Sequence, residues 1–103
     1  RDVARYAPVL DGVVVKLAKT GGIREAMRVI ETARAHSLKV MFGCMIESSL
    51  GVTAASHLAA LCDHLDLDGH LLLADDPFVG ARYEDGYLLI NEDLPGLGVV
   101  PRK

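Results

Sequence analysis

Tryptophan is absent from this chain of 103 residues, and only three Tyr and two Phe supply aromatic rings. A core made from such a chain has to be aliphatic. Two cysteines, Cys44 and Cys62, are too few for a disulfide framework, and reduced thiols packed as small hydrophobes are the expectation. No apolar run approaches the roughly 18 residues that cross a bilayer. No signal peptide is visible, and the chain begins at Arg1 rather than Met. Long basic runs are also missing. Eleven basic against fourteen acidic residues leave a net charge of −3, which argues against nucleic acid or an anionic membrane as partner.

Half of the residues are hydrophobic, which excludes a disordered tail. A single small domain has much surface per volume and shows polar faces on its elements. Several segments here instead read as buried on both sides, the expectation for a piece of something larger.

Gly12-Val13-Val14-Val15-Lys16-Leu17 is a β-branched run without alternation, suited to a parallel strand covered on both faces. Lys19-Thr20-Gly21-Gly22 reads as a turn. From Ile23 the period becomes helical. Ile23, Ala26, Met27, Ile30 and Ala33 form one stripe, Arg24, Glu25, Arg28, Glu31 and Arg34 the other side, and His36-Ser37 closes the helix. A second strand spans Leu38 to Ile46, with Gly43 marking a close backbone approach. Ser48 or Ser49 caps a helix expected from about Leu50 to Cys62, apolar nearly all round. A third strand lies near Leu65-Asp66-Leu67-Asp68. Leu71-Leu72-Leu73, a turn at Pro77 and Gly80, a hairpin around Asp85-Gly86 and a loop at Pro95-Gly96-Leu97-Gly98 complete the chain.

Strand centres near Val14, Val40 and Asp66 recur at about 26-residue spacing, the mark of regular βα units in a parallel α/β fold. Eight such units come to about 208 residues, close to the roughly 250 of an eightfold βα barrel. A compact flavodoxin-like domain is the alternative, but it needs about five parallel strands.

Parallel α/β folds bind ligands at the C-terminal ends of their strands. Lys16 ends the first strand, where an amine stripped of water becomes a usable base. A stem that snorkels to the rim, or a carboxylate partner, accounts for it equally. Asp66 and Asp68, two apart on a strand, point to one face, where like charges call for a metal or an ammonium between them. A solvated turn explains them as well. Glu47 precedes a helix start and suits a capping role. Gly21-Gly22 before a helix is a weak anion-cradle signal. His36, His57, His64 and His70 lack metal-ligand spacing.

Three blocks in order, Lys16-Leu17-Ala18-Lys19-Thr20-Gly21-Gly22, Gly43-Cys44-Met45-Ile46-Glu47-Ser48-Ser49 and Asp66-Leu67-Asp68-Gly69, resemble the enolase superfamily. The likeness is strongest to its muconate-lactonizing subgroup and, within it, to the dipeptide epimerases of the L-Ala-D/L-Glu type. It covers nearly the whole chain and includes the closing Pro95-Gly96-Leu97-Gly98. It implies that Lys16, and not Lys19, is the catalytic lysine at the end of the sixth barrel strand. It implies that Asp66 and Asp68 hold the free α-ammonium of a dipeptide, that backbone around Met45 and Ile46 lines the pocket, and that Glu47 has a supporting role.

The implied reaction is a 1,1-proton transfer at the α-carbon of the C-terminal residue of the dipeptide. Mg²⁺ and Lys16 stabilise the enolate, and the proton returns from the other face. The metal ligands of the family, on the third to fifth strands, are not in this sequence, nor are the early lysine pair and the N-terminal capping domain. The resemblance therefore makes residues 1–76 strands six to eight of a (β/α)8 barrel, an α/β fold, and residues 77–103 a tail that packs toward the cap. On this reading these residues alone are inactive and do not fold alone. The implied location is cytoplasmic, the implied partner is the remainder of the same enzyme, and a homo-oligomer is allowed. An N-acylamino acid racemase, a cycloisomerase or an o-succinylbenzoate synthase would keep the fold but has no use for an ammonium clamp. A noncatalytic module binding through Gly21-Gly22 is the reading of a different class.

Overall fold

A computed structural model describes residues 2–103; Arg1 lies outside the described residues. A short helix, α1 (Asp2–Tyr6), leads through a 3-10 turn into β1 (Gly12–Val15). One helical turn, α2 (Leu17–Thr20), and a long helix, α3 (Ile23–Ala35), lead to β2 (Lys39–Gly43). Then follow α4 (Ser49–Ser56), a 3-10 turn at Ala59–Leu61, β3 (His64–Asp66) and a further 3-10 turn at Gly69–Leu72. Four short strands form the tail: β4 (Phe78–Val79), β5 (Arg82–Glu84), β6 (Tyr87–Leu89) and β7 (Val100–Pro101). Among the described residues no helix is long and apolar enough to cross a membrane.

The 26-residue spacing becomes a three-stranded parallel sheet in the order β1-β2-β3. Val13 pairs with Val40, Val15 with Phe42, and Gly43 with Asp66. One face of this sheet is covered. Val15, Val40 and Phe42 are at most 1% exposed and pack with Ala26, Ile30 and Ala33 of α3 and with Val52 and Ala55 of α4. Each such side chain contributes roughly 1.5–3 kcal/mol by leaving water, so this face orients the strands. The other face is bare. Val14 is 58% exposed, against the expectation of a strand covered on both sides, because no element among the described residues lies over it. Ile23 and Met27 also stand exposed at the edge of the α3 stripe, and only Ala26, Ile30 and Ala33 of that helix are buried.

Several boundaries fall short of the apolar pattern for identifiable reasons. β1 stops at Val15 because the Lys16 carbonyl accepts the amides of Lys19 and Thr20, both at 3.0 Å, and starts α2 where a turn was expected. α4 stops at Ser56, whose hydroxyl turns back onto the Thr53 carbonyl at 2.6 Å, a local bond that competes with the helix. Neither Ser48 nor Ser49 caps α4 through its own side chain. Asp76 of the tail does so, accepting the Ser49 amide at 2.8 Å and the Ser49 hydroxyl at 2.5 Å. Leu71-Leu72 belongs to a 3-10 turn.

The tail folds back over α4. β4 pairs antiparallel with β7, and the Ala81 amide donates to the buried Thr53 hydroxyl at 2.7 Å. The Asp85-Gly86 hairpin forms as its sequence suggests, with positive φ at both residues (50° and 82°) between β5 and β6.

Candidate active site

The parallel register decides what meets what. Carried one residue beyond Val15–Phe42, it sets Lys16 level with Gly43, and Gly43 pairs with Asp66. Three strand ends therefore offer Lys16, Gly43 and Asp66 in one row on the bare face. With strands about 4.8 Å apart, the backbones of Lys16 and Asp66 stand roughly 10 Å from each other. Among the described residues neither joins an ion pair. Gly43, which has no side chain, lies between them.

The Lys16 stem runs across Gly43, and its Nζ reaches 3.9 Å from the Met45 Sδ. The glycine foreseen as a close backbone approach is in fact the place where a side chain crosses. Met45 and Ile46 are 45% and 68% exposed beside it. Glu47 turns back, accepts the Met45 amide at 3.1 Å and fills the space over Gly51, which holds the turn between β2 and α4.

β3 ends at Asp66, so Asp68 lies beyond the strand expected to carry it and opens the 3-10 turn with φ −107° and ψ 0°. Asp66 and Asp68 are nevertheless both exposed on either side of Leu67, which is 1% exposed and anchored in the core. The Cys44 thiol donates to the Asp68 Oδ1 at 3.8 Å, and its sulfur accepts the Gly69 amide at 3.2 Å. Burial pushes the Cys44 thiol up, and the Asp68 and Asp66 charges add to this against the lowering hydrogen bonds. Cys44 thus packs as a small hydrophobe but also ties two strand ends together, which its sequence context does not signal.

Tyr83, of β5, escaped the sequence reading altogether. Its hydroxyl donates to the Leu67 carbonyl at 3.1 Å, and its ring stacks on buried His70 with centroids 6.0 Å apart. Burial raises the phenol, and Asp68, Cys44 and Asp66 raise it further. Nothing in the pattern around Tyr83 points to a partner 16 residues away.

Gly21 and Gly22 do not form an anion cradle: both of their amides donate to the Leu17 carbonyl, at 3.0 and 3.3 Å, and close α2. Among the described residues no three His, Cys, Asp or Glu side chains gather as a metal site, so these residues do not by themselves fit a divalent cation. A cleft of about 550 Å³, lined by Ser49, His70, Asp76, Arg82 and Arg102 among others, lies beneath the tail and contains none of the strand-end residues. The open ends of a parallel sheet, not this cleft, are where ligands of such folds bind.

Known proteins share this fold. The chain is 48% identical to the hydrophobic dipeptide epimerase of Roseobacter litoralis over 96% of its own length and 28% of that protein. It superposes on the substrate-liganded L-Ala-D/L-Glu epimerase of Bacillus subtilis with a TM-score of 0.85 and 35% identity, covering 97% of this chain and 28% of that one. The dipeptide epimerase of Cytophaga hutchinsonii, complexed with Mg and the dipeptide D-Ala-L-Val, matches with a TM-score of 0.80 and 34% identity over 90% of this chain and 26% of that one. The chain thus spans little more than a quarter of the length of these relatives. A family model described as enolase C-terminal domain-like matches residues 3–103, and the chain belongs to that family, a portion of the TIM-barrel fold.

Proposed function

We propose that these residues form the last barrel strands of a dipeptide epimerase, an isomerase that inverts the α-carbon of the C-terminal residue of L-Ala-D/L-Glu or a related dipeptide. One observation carries this reading: among the described residues Lys16, after the end of β1, and Asp66 and Asp68, at and just beyond the end of β3, carry charges that join no ion pair and lie at the same end of the sheet.

The chemistry follows from the groups. A dipeptide bound at these strand ends places its terminal ammonium between Asp66 and Asp68, since a desolvated cation needs charged acceptors. Its α-carbon then lies toward Lys16. The Lys16 amine takes the α-proton as the C–H pair moves into the adjacent carboxylate, and a group on the opposite face returns a proton to the same carbon. Lys16 serves as acid in the reverse direction. Met45 and Ile46 give the pocket an apolar wall.

Mg²⁺ is a requirement of the whole protein, to be held by residues outside this segment, since no cluster of metal ligands occurs among the described residues. The reading also includes a cytoplasmic location, in keeping with free thiols at Cys44 and Cys62. Residues 77–103 form the tail that meets the remainder of the enzyme.

The test is solvent exchange in the full-length protein that carries this segment. In D₂O, Lys16→Ala should abolish epimerisation and the exchange of the α-proton in the epimer that presents it to Lys16, while Mg²⁺ binding survives. Retained exchange into both epimers refutes Lys16 as the base. A dipeptide panel set against N-acyl amino acids decides the substrate class.

A further inference from the structure

Two peptide planes flank Asp68, and each is pinned from a different part of the chain. The Leu67 carbonyl belongs to the rigid unit that carries the Asp68 amide. It accepts the Tyr83 hydroxyl, which reaches in from the β5–β6 hairpin. The next unit carries the Gly69 amide, which donates to the Cys44 sulfur at the end of β2. With both planes held, φ and ψ of Asp68 have little freedom. Gly69 reinforces this, because a Cβ there would collide with the Met45 carbonyl and lie 3.2 Å from the Cys44 sulfur. The Tyr83 ring is itself seated on His70, a side chain that is 9% exposed and makes no hydrogen bond among the described residues. His70 thus acts as a packing platform.

We propose that Tyr83 and Cys44 are positioning residues for substrate specificity: they hold the Asp66-Leu67-Asp68 segment so that its carboxylates meet a substrate ammonium. The proposal rests on the dipeptide reading above. A short loop carrying two like charges has every reason to splay, since the carboxylates repel and solvent is at hand. A preorganised pair binds a cation without first giving up that freedom. Tyr83 achieves this without touching the ligand, and so does the sulfur of Cys44.

The experiment is steady-state kinetics of the full-length protein with a dipeptide substrate, beside inhibition by a des-amino analogue in which hydrogen replaces the ammonium. Tyr83→Phe keeps the ring on His70 and removes the donor; Cys44→Ala removes the acceptor, and Cys44→Ser restores one. Tyr83→Phe and Cys44→Ala should each raise KM for the dipeptide on the order of 5- to 10-fold with kcat held within about twofold. The inhibition constant of the analogue should stay unchanged, and Cys44→Ser should recover most of the loss. Either single variant suffices if the other does not fold. An unchanged KM, or equal changes for dipeptide and analogue, overturns the positioning role. If the unaltered protein does not epimerise dipeptides, the functional reading fails and this inference falls with it. If it does so and prefers the ammonium while the variants match it, only the inference fails.

Discussion

The stem of Lys16 crosses strand β2 at Gly43, where a Cβ would come 3.2 Å from Lys16 Cε and 3.3 Å from Val14 Cγ1. The backbone of a neighbouring strand thus supplies the channel along which the amine is aimed. Contacts of this kind are tight without being impossible, and the flexible lysine is the partner that yields.

Gly43→Ala should therefore injure activity more than stability. The added methyl shifts the amine by a few tenths of an ångström or turns it to another rotamer, and a misplaced base costs on the order of 10- to 100-fold in kcat. The melting temperature should fall by only a few degrees. Turnover measured beside calorimetry of the same preparation checks both halves. A large drop in melting temperature with kcat intact would mean that the glycine serves packing alone.

Thr53 anchors the tail. Its side chain is fully buried, and its hydroxyl takes the Ala81 amide at 2.7 Å. Thr53→Val keeps the shape and leaves that amide without an acceptor, at a cost of about 1–3 kcal/mol. Denaturant unfolding of the full-length protein should show a lower midpoint with an unchanged slope. Hydrogen exchange should locate the loss at Ala81 and the β4–β7 pair.

Asp76 predicts an acid-sensitive fold. Burial alone would raise its carboxyl, but the Ser49 hydroxyl, the Phe78 and Ser49 amides and Arg102 outweigh burial and hold it below the ordinary 3.8. A carboxyl lowered on folding stabilises the protein above its unfolded value, and this contribution fades as the pH falls through the folded value. Melting temperature should thus decline below roughly pH 4, and Asp76→Asn should be less stable at neutral pH but flatter along that acid limb. Parallel slopes for the two proteins would remove Asp76 from the explanation.

Local and periodic features were legible in the sequence. The helix from Ile23 shows in its stripe, the parallel strands in their even spacing, and the hairpin in Asp85-Gly86. Lys16 and the Asp66–Asp68 pair stood out because charge beside apolar runs is conspicuous. What escaped depends on long-range pairing. β4 meets β7 across more than twenty residues with two paired positions, too short for any period. The bare face was not legible, because a continuous Val13-Val14-Val15 run looks the same whether its second cover lies within these residues or outside them. Tyr83 and Asp76 act through bonds to distant backbone, and a sequence pattern does not encode such bonds.

β1 and β3 are both outer members of their sheet, each with an unpaired rim of amides and carbonyls among the described residues. A parallel strand can be laid along either rim without disturbing α3 or α4, which cover only one face. Sheet growth is therefore open in both directions from a single βα module, and a sheet whose strands are tilted and staggered closes on itself at eight strands. The bare surface of Val14 and Met41 is then the inner wall of a closing ring.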